Sequence, residues 1–130
     1  LATRNNTVIA YTCLGTNDLE KSCAFYDDLF SSIGAVRAME VADRFVAWGK
    51  AGGAQMFAVN KPFNDESATA GNGTMISLGM KTQAEVDAIY EKALALGGSC
   101  EGQPGFRGEG FYAAYFRDLD GNKLCACSFG

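Results

Sequence analysis

Five thiols and no imidazole set the chemistry open to this chain: Cys13, Cys23, Cys100, Cys125 and Cys127 are present, and His is absent. Without His there is no Ser-His-Asp triad, no Cys-His dyad, no His-ligated zinc and no imidazole proton shuttle. Proton transfer near neutral pH would fall to carboxylates, Tyr, Lys, Arg or thiols. Cys125 makes a poor nucleophile, because a thiolate needs an adjacent cation or base, and Lys123 on the same strand face offers no specific trigger. A Tyr-Arg or Tyr-Lys pair is the metal-free route to acid–base work. An odd thiol count without regular spacing argues against a disulfide framework. Cys125 and Cys127, two apart in a predicted strand, share a face but bridge poorly. As small half-buried hydrophobes they fit the reducing cytoplasm.

The segment Gly105-Phe106-Arg107-Gly108-Glu109-Gly110-Phe111-Tyr112 sets one Arg and one Glu among three glycines. Glycine allows close backbone approach to a ligand, and Arg binds anions bidentately. The plain alternative is an exposed hairpin with both charges solvated. Lys61 and Asn72 bracket another loop, with a weaker case for the same role. Aromatic side chains are plentiful, including Phe45, Trp48, Phe57, Phe63, Tyr112 and Tyr115. Alternation divides residues 111–117 into Phe111/Tyr115 and Tyr112/Phe116, and the sequence leaves open which pair faces a cavity.

These residues must be held by elements, and the elements repeat. Val8–Leu14 reads as a strand. Asn17 with Glu20 has a capping-box pattern. Leu19, Cys23, Tyr26, Leu29, Phe30 and Ile33 then form one helical apolar face, ended by Gly34. Strands near 35–41, 44–50 and 54–59 follow, the last two joined by Lys50–Gly53. Residues 61–73 are polar and aperiodic and read as a loop. The order then restarts. Thr74–Met80 is a strand, and Thr82 with Glu85 caps a helix whose stripe is Val86, Ile89, Tyr90, Ala93 and Leu94. Gly97-Gly98 stop it, and strands near 99–103, 111–117 and 123–128 complete the chain, with a turn at Asp120-Gly121-Asn122. At an offset of 64, Leu14, Gly15, Ala24, Tyr26 and Gly34 meet Leu78, Gly79, Ala88, Tyr90 and Gly98. The reading is two βαβββ modules. A ferredoxin-like βαββαβ sheet would leave two predicted strands over.

The length of 130 residues suits one domain. A net charge of −4 without a Lys/Arg cluster argues against nucleic acid as a partner. No apolar run approaches a membrane span, and no signal peptide is visible. The chain opens on Leu1 rather than Met, which leaves a trimmed start or a removed leader open. N-x-T sequons at Asn5 and Asn72 carry no weight without a secretory context.

Leu14-Gly15-Thr16-Asn17-Asp18-Leu19-Glu20-Lys21-Ser22, followed by Ala24-Phe25-Tyr26, resembles the first strand–helix signature of the vicinal oxygen chelate superfamily. This is the glyoxalase, bleomycin-resistance and extradiol-dioxygenase group. Tyr115-Phe116-Arg117-Asp118-Leu119-Asp120-Gly121-Asn122-Lys123-Leu124 resembles its closing hairpin, with Leu119 where Pro is usual. The resemblance implies an α+β fold in which two βαβββ modules share an incomplete barrel. It sets module one at about 7–60, a loop at 61–73 and module two at about 74–128, within a single domain spanning 1–130. It also implies a homodimer and, in enzymatic members, a cavity metal acting as a Lewis acid.

The resemblance places the usual His, Gln or Glu ligands at Tyr11, Met75 and Cys125, and near Met56 with Gln55 beside it. Phenol, thioether and thiol groups make a poor cage for ions that prefer oxygen and imidazole. The expectation is therefore a protein without metal or other cofactor. It would bind a small, partly aromatic or hydrophobic molecule in the barrel cavity or dimer cleft. The expected ligand-binding residues are Tyr11, Trp48, Met56, Met75, Arg107, Tyr112, Tyr115 and Cys125, and no catalytic residue is assigned. The competing expectations are a metal-dependent lyase or transferase using displaced carboxylates, a metal-free isomerase, or an interaction module without a ligand.

Overall fold

A computed structural model describes residues 6–130; Leu1 and the Asn5 sequon lie outside them. The element order is β1(Tyr11–Gly15), α1(Leu19–Ser31), β2(Val36–Val41), β3(Phe45–Gly49), β4(Met56–Asn60), β5(Ile76–Gly79), α2(Gln83–Ala95), β6(Ser99–Phe106), β7(Phe111–Arg117) and β8(Lys123–Phe129). This is βαβββ twice. The chain divides into two compact units between Ser67 and Ala68, inside the 61–75 connection. Each unit is an open four-stranded mixed sheet, ordered β1-β4-β3-β2 in the first and β5-β8-β7-β6 in the second. In both, the first strand pairs in parallel with the last and the other pairings are antiparallel.

In the first unit, α1 turns its apolar stripe onto one sheet face. Tyr26 and Phe30 meet Trp48 and Phe57 at ring-centroid distances of 4.8–5.8 Å. The Trp48 indole N–H donates to Asp27 Oδ1 at 2.9 Å. Asp27 also accepts a bidentate pair from Arg37, at 2.9 and 2.8 Å. The Arg37 hydrogen bonds hold the Asp27 carboxyl below the ordinary range, against the opposing effect of burial. A depressed folded pKa stabilises above the unfolded value and is lost as pH falls through the folded one. The expected result is an Asp27→Asn chain whose acid-unfolding profile loses part of its slope below about pH 4, the ordinary Asp range. An unchanged profile would show that the pair adds nothing to acid stability.

The first helix starts differently from the expectation. Its N-cap is Asp18, not Asn17, with the Lys21 N–H donating to Asp18 Oδ1 at 3.1 Å. Thr16 Oγ1, itself buried, receives the Asp18 N–H at 3.1 Å and fixes the turn one residue later. The first strand also starts later, because Val8 and Ile9 are exposed and unpaired in the sheet. At α2 the expected capping box is complete: Thr82 and Glu85 exchange side-chain-to-backbone bonds at 3.1 Å each way. Gly98 follows α2 at a position without room for a side chain. A Cβ there would stand 2.7 Å from the Arg117 carbonyl and 2.9 Å from that of Ala93.

Candidate functional site

In the second unit, two bonds identify the face that α2 covers. The Tyr112 hydroxyl donates to Asp87 Oδ1 at 2.6 Å, and Ser128 Oγ, on the same face, donates to the Lys81 carbonyl just before α2 at 3.3 Å. Cross-strand partners share a face, and Tyr112 pairs with Ser128, Ala114 with Ala126 and Phe116 with Leu124. These residues therefore turn towards α2. The opposite face carries Ala113, Cys125 and Cys127, all buried, with Phe111 and Tyr115 packed on them. This open face holds the side chains with chemistry.

Tyr115 is its centre. The Arg107 guanidinium lies 5.5 Å from the Tyr115 ring centroid and the Lys123 ammonium 5.4 Å. Both fall within cation–π range. Arg107 is held by a 2.6 Å bond from Nη2 to the Gln103 carbonyl. It lies over glycines: a Cβ on Gly102 would meet Arg107 Nη2 at 3.3 Å and the Tyr115 ring at 3.0 Å, and one on Gly105 would meet Nη1 at 3.0 Å. Pro104 is tolerated between them because β6 is an edge strand with irregular register there. Neither Arg107 nor Lys123 forms an ion pair among the described residues. Arg117 differs, being paired with Glu101 and bonded to the Gly121 carbonyl at 2.8 Å.

Beneath Tyr115, Cys125 packs in one buried cluster with Ala113 and Cys127. Burial raises the Cys125 thiol above its ordinary range, with the neighbouring Cys127 adding to the rise. Tyr115 is raised as well, chiefly by burial and by Cys125, with Arg107 opposing. At neutral pH both stay protonated. Beside them, a cavity of about 610 Å³ lies between the Gly71–Met75 loop and the ends of β7 and β8, bordered by Arg117 and Lys123.

The expected ligand-binding residues separate into groups. Arg107, Tyr115 and Cys125 come together on the open face of the second unit, and Met75 borders the cavity that Lys123 also lines. Tyr11 and Met56 are cross-strand partners in the first unit. They share the face opposite α1 with Phe45, whose ring meets Tyr11 edge-on at 5.8 Å. Trp48 and Tyr112 stand elsewhere. Trp48 is buried against α1, and Tyr112 is bonded to α2, each on the covered side of its sheet. Two residues of the Tyr115 cluster, Lys123 and Gly102, are not among the ligand-binding residues expected from the sequence; Gly102-x-x-Gly105 before Arg107 is the signal that points to the latter. Lys61 borders a separate cavity of about 590 Å³ at the start of α1, and Asn72 borders the one beside Lys123.

The four matched metal positions offer a phenol, two thioethers and a thiol held protonated by burial. That donor set does not fit a hard divalent cation, which prefers carboxylate, imidazole and water. Among the described residues, no three His, Cys, Asp or Glu side chains converge as an alternative cage.

The family model described as Glyoxalase/Bleomycin resistance protein/Dioxygenase superfamily matches residues 8–126. A glyoxalase/bleomycin resistance protein from Albidiferax ferrireducens T118 is 34% identical, with 95% of this chain and 100% of that one covered at a TM-score of 0.86. A hypothetical protein from S. aureus, SA1046, is 29% identical over 94% of this chain and 96% of that one, with a TM-score of 0.70. A lactoylglutathione lyase from Agrobacterium tumefaciens shares the fold at 23% identity, with 96% of each chain covered and a TM-score of 0.70. No match was found among curated proteins.

Proposed function

Since this chain belongs to the glyoxalase/bleomycin resistance protein/dioxygenase superfamily, we propose that it binds a small, partly aromatic molecule bearing an anionic group, without the hard divalent ion of the family's enzymes. The observation that carries this reading is the pair of cations, Arg107 and Lys123, each within 5.5 Å of the Tyr115 ring centroid and neither ion-paired among the described residues. A carboxylate, sulfonate or phosphonate meets a guanidinium fork and an ammonium there. An apolar or aromatic body meets Tyr115 and Met75. Deep specificity would come from shape, because Ala113 and the two thiols beneath are small.

An acid–base enzyme has less support. Tyr115 is held protonated near neutral pH, so it is a poor base, and Cys125 is a poor nucleophile for the same reason. A lyase using displaced carboxylates needs a converging set of donors, and the described residues hold none.

Calorimetric titration with benzoate and phenylphosphonate, against benzamide as the neutral counterpart, tests the reading. The anions are expected to bind and benzamide to bind at least about tenfold more weakly, as loss of a charge-assisted contact implies. Arg107→Ala and Lys123→Ala should each weaken anion binding by about tenfold or more. Equal binding of benzamide, or insensitivity to both substitutions, would remove the anion site. Binding that appears only with added Mn²⁺ or Zn²⁺ would overturn the metal-free part.

A further inference from the structure

The two sulfurs under Tyr115 have only a shape-filling part in the binding just described. Cys125 and Cys127 lie on one face of β8, are 1% and 4% exposed, and pack in one buried cluster with Ala113 beneath Tyr115. Residues two apart on a strand have Cα atoms about 6.6 Å apart, at the upper edge of disulfide geometry, and side chains that run side by side. A direct S–S bond there would need backbone movement. An ion held between the two sulfurs needs none, since thiolate–metal bonds of about 2.3 Å on each side span the separation of two neighbouring thiols. No third His, Cys, Asp or Glu converges on the pair among the described residues. That rules against tetrahedral zinc, which takes four ligands, and favours an ion content with two soft ones.

We propose that Cys125 and Cys127 form a two-coordinate site for a soft monovalent cation of the Cu(I) class. Binding breaks both S–H bonds and forms two S–Cu bonds. Two protons pass to solvent, and no electron is transferred. The product carries one net negative charge. The surroundings suit that charge: Tyr115 packs on the pair, and the Arg107 and Lys123 cations lie 5.5 and 5.4 Å from its ring centroid. The site shares Cys125 with the matched family positions and differs from them in its second donor, its coordination number and its preferred ion.

The test uses the full chain, reduced, in a Cys13→Ser/Cys100→Ser background that removes the exposed thiols. Cu(I), supplied anaerobically as its acetonitrile complex, is titrated in competition with bathocuproine disulfonate. One equivalent is expected to be retained, with thiolate-to-copper absorption in the near ultraviolet. Cys125→Ala and Cys127→Ala should each abolish that equivalent while circular dichroism shows a folded chain. Retention by either variant overturns the proposal. Should either fail to fold, X-ray absorption at the copper edge on the parent chain decides: a first shell of two sulfurs supports the site, and a shell richer in nitrogen or oxygen overturns it. The anion reading stands or falls separately, because Arg107→Ala is expected to lose benzoate and to keep the copper equivalent.

Discussion

Trp48→Ala is expected to destabilise the chain by about 3–5 kcal/mol, the range for removing a large buried aromatic. The indole is 2% exposed and packs on both Tyr26 and Phe30. Its loss removes more than packing. The Asp27 carboxylate loses one donor, leaving Arg37 as its remaining side-chain partner in that triad. Trp48→Phe separates the two effects: it keeps most of the apolar contact and loses the hydrogen bond, so it should cost about 1–2 kcal/mol less than the Ala change. Urea unfolding followed by circular dichroism measures both. Benzoate binding by folded Trp48→Phe should equal that of the parent, because the indole faces α1. A selective loss of binding at unchanged stability would return Trp48 to the ligand site.

The second large effect is expected at Asp118, which closes the β7–β8 hairpin. Its carboxylate is buried and accepts the Asp120 and Asn122 backbone N–H groups at 2.9 Å each, and the Asn122 side-chain amide at 3.0 Å. Asp118→Ala removes the shared acceptor of three hydrogen bonds at once, two of them buried and one part-buried. Each lost bond costs about 1–3 kcal/mol where its donor is left dry, and water entering the opened turn offsets part of this, so about 3–5 kcal/mol is expected. Asp118→Asn keeps the shape and one acceptor oxygen and should recover roughly half of the loss. The functional consequence follows from position. Lys123 begins the strand directly after this turn, so a folded Asp118→Asn chain should bind benzoate more weakly than the parent. Unchanged unfolding midpoints for both variants would show that the turn is held by its neighbours. In the family's hairpin pattern, Pro is usual where Leu119 stands here. The backbone geometry is set by Asp118 and by Gly121 at φ +87°, so the turn forms without it.

Much of the architecture was legible because its signals are local. A capping box needs only Thr82 and Glu85, three residues apart, and it forms as read. The helix stripes are periodic within four turns, and the residues expected to be buried in α2, apart from Leu94 at its end, are buried. Glycines at 34 and 97 adopt the positive φ that lets a helix end. The repeat at an offset of 64 carried the rest, since two copies of one local order leave few alternatives. The local errors are also local in cause. Asp18 displaces Asn17 as cap because Thr16 reaches its backbone, a competition between adjacent hydrogen-bonding residues that the pattern does not rank.

What the sequence by itself determined is therefore the succession of strands, caps and turns, and the absence of imidazole. Only tertiary structure decided which strand face met the helix. Alternation has a period of two, so it assigns residues 111–117 to two faces without saying which is covered. The register of β7 against β8 and the Tyr112–Asp87 bond settle it, turning Tyr112 inward to α2 and Tyr115 outward. The same long-range packing takes Trp48 into the core against α1. It also brings Arg107, just past β6, within reach of the Tyr115 ring on β7 and sets Lys123 beside the same tyrosine, eight residues earlier in the chain. Those juxtapositions arise from pairing between strands, an energy that no single segment carries.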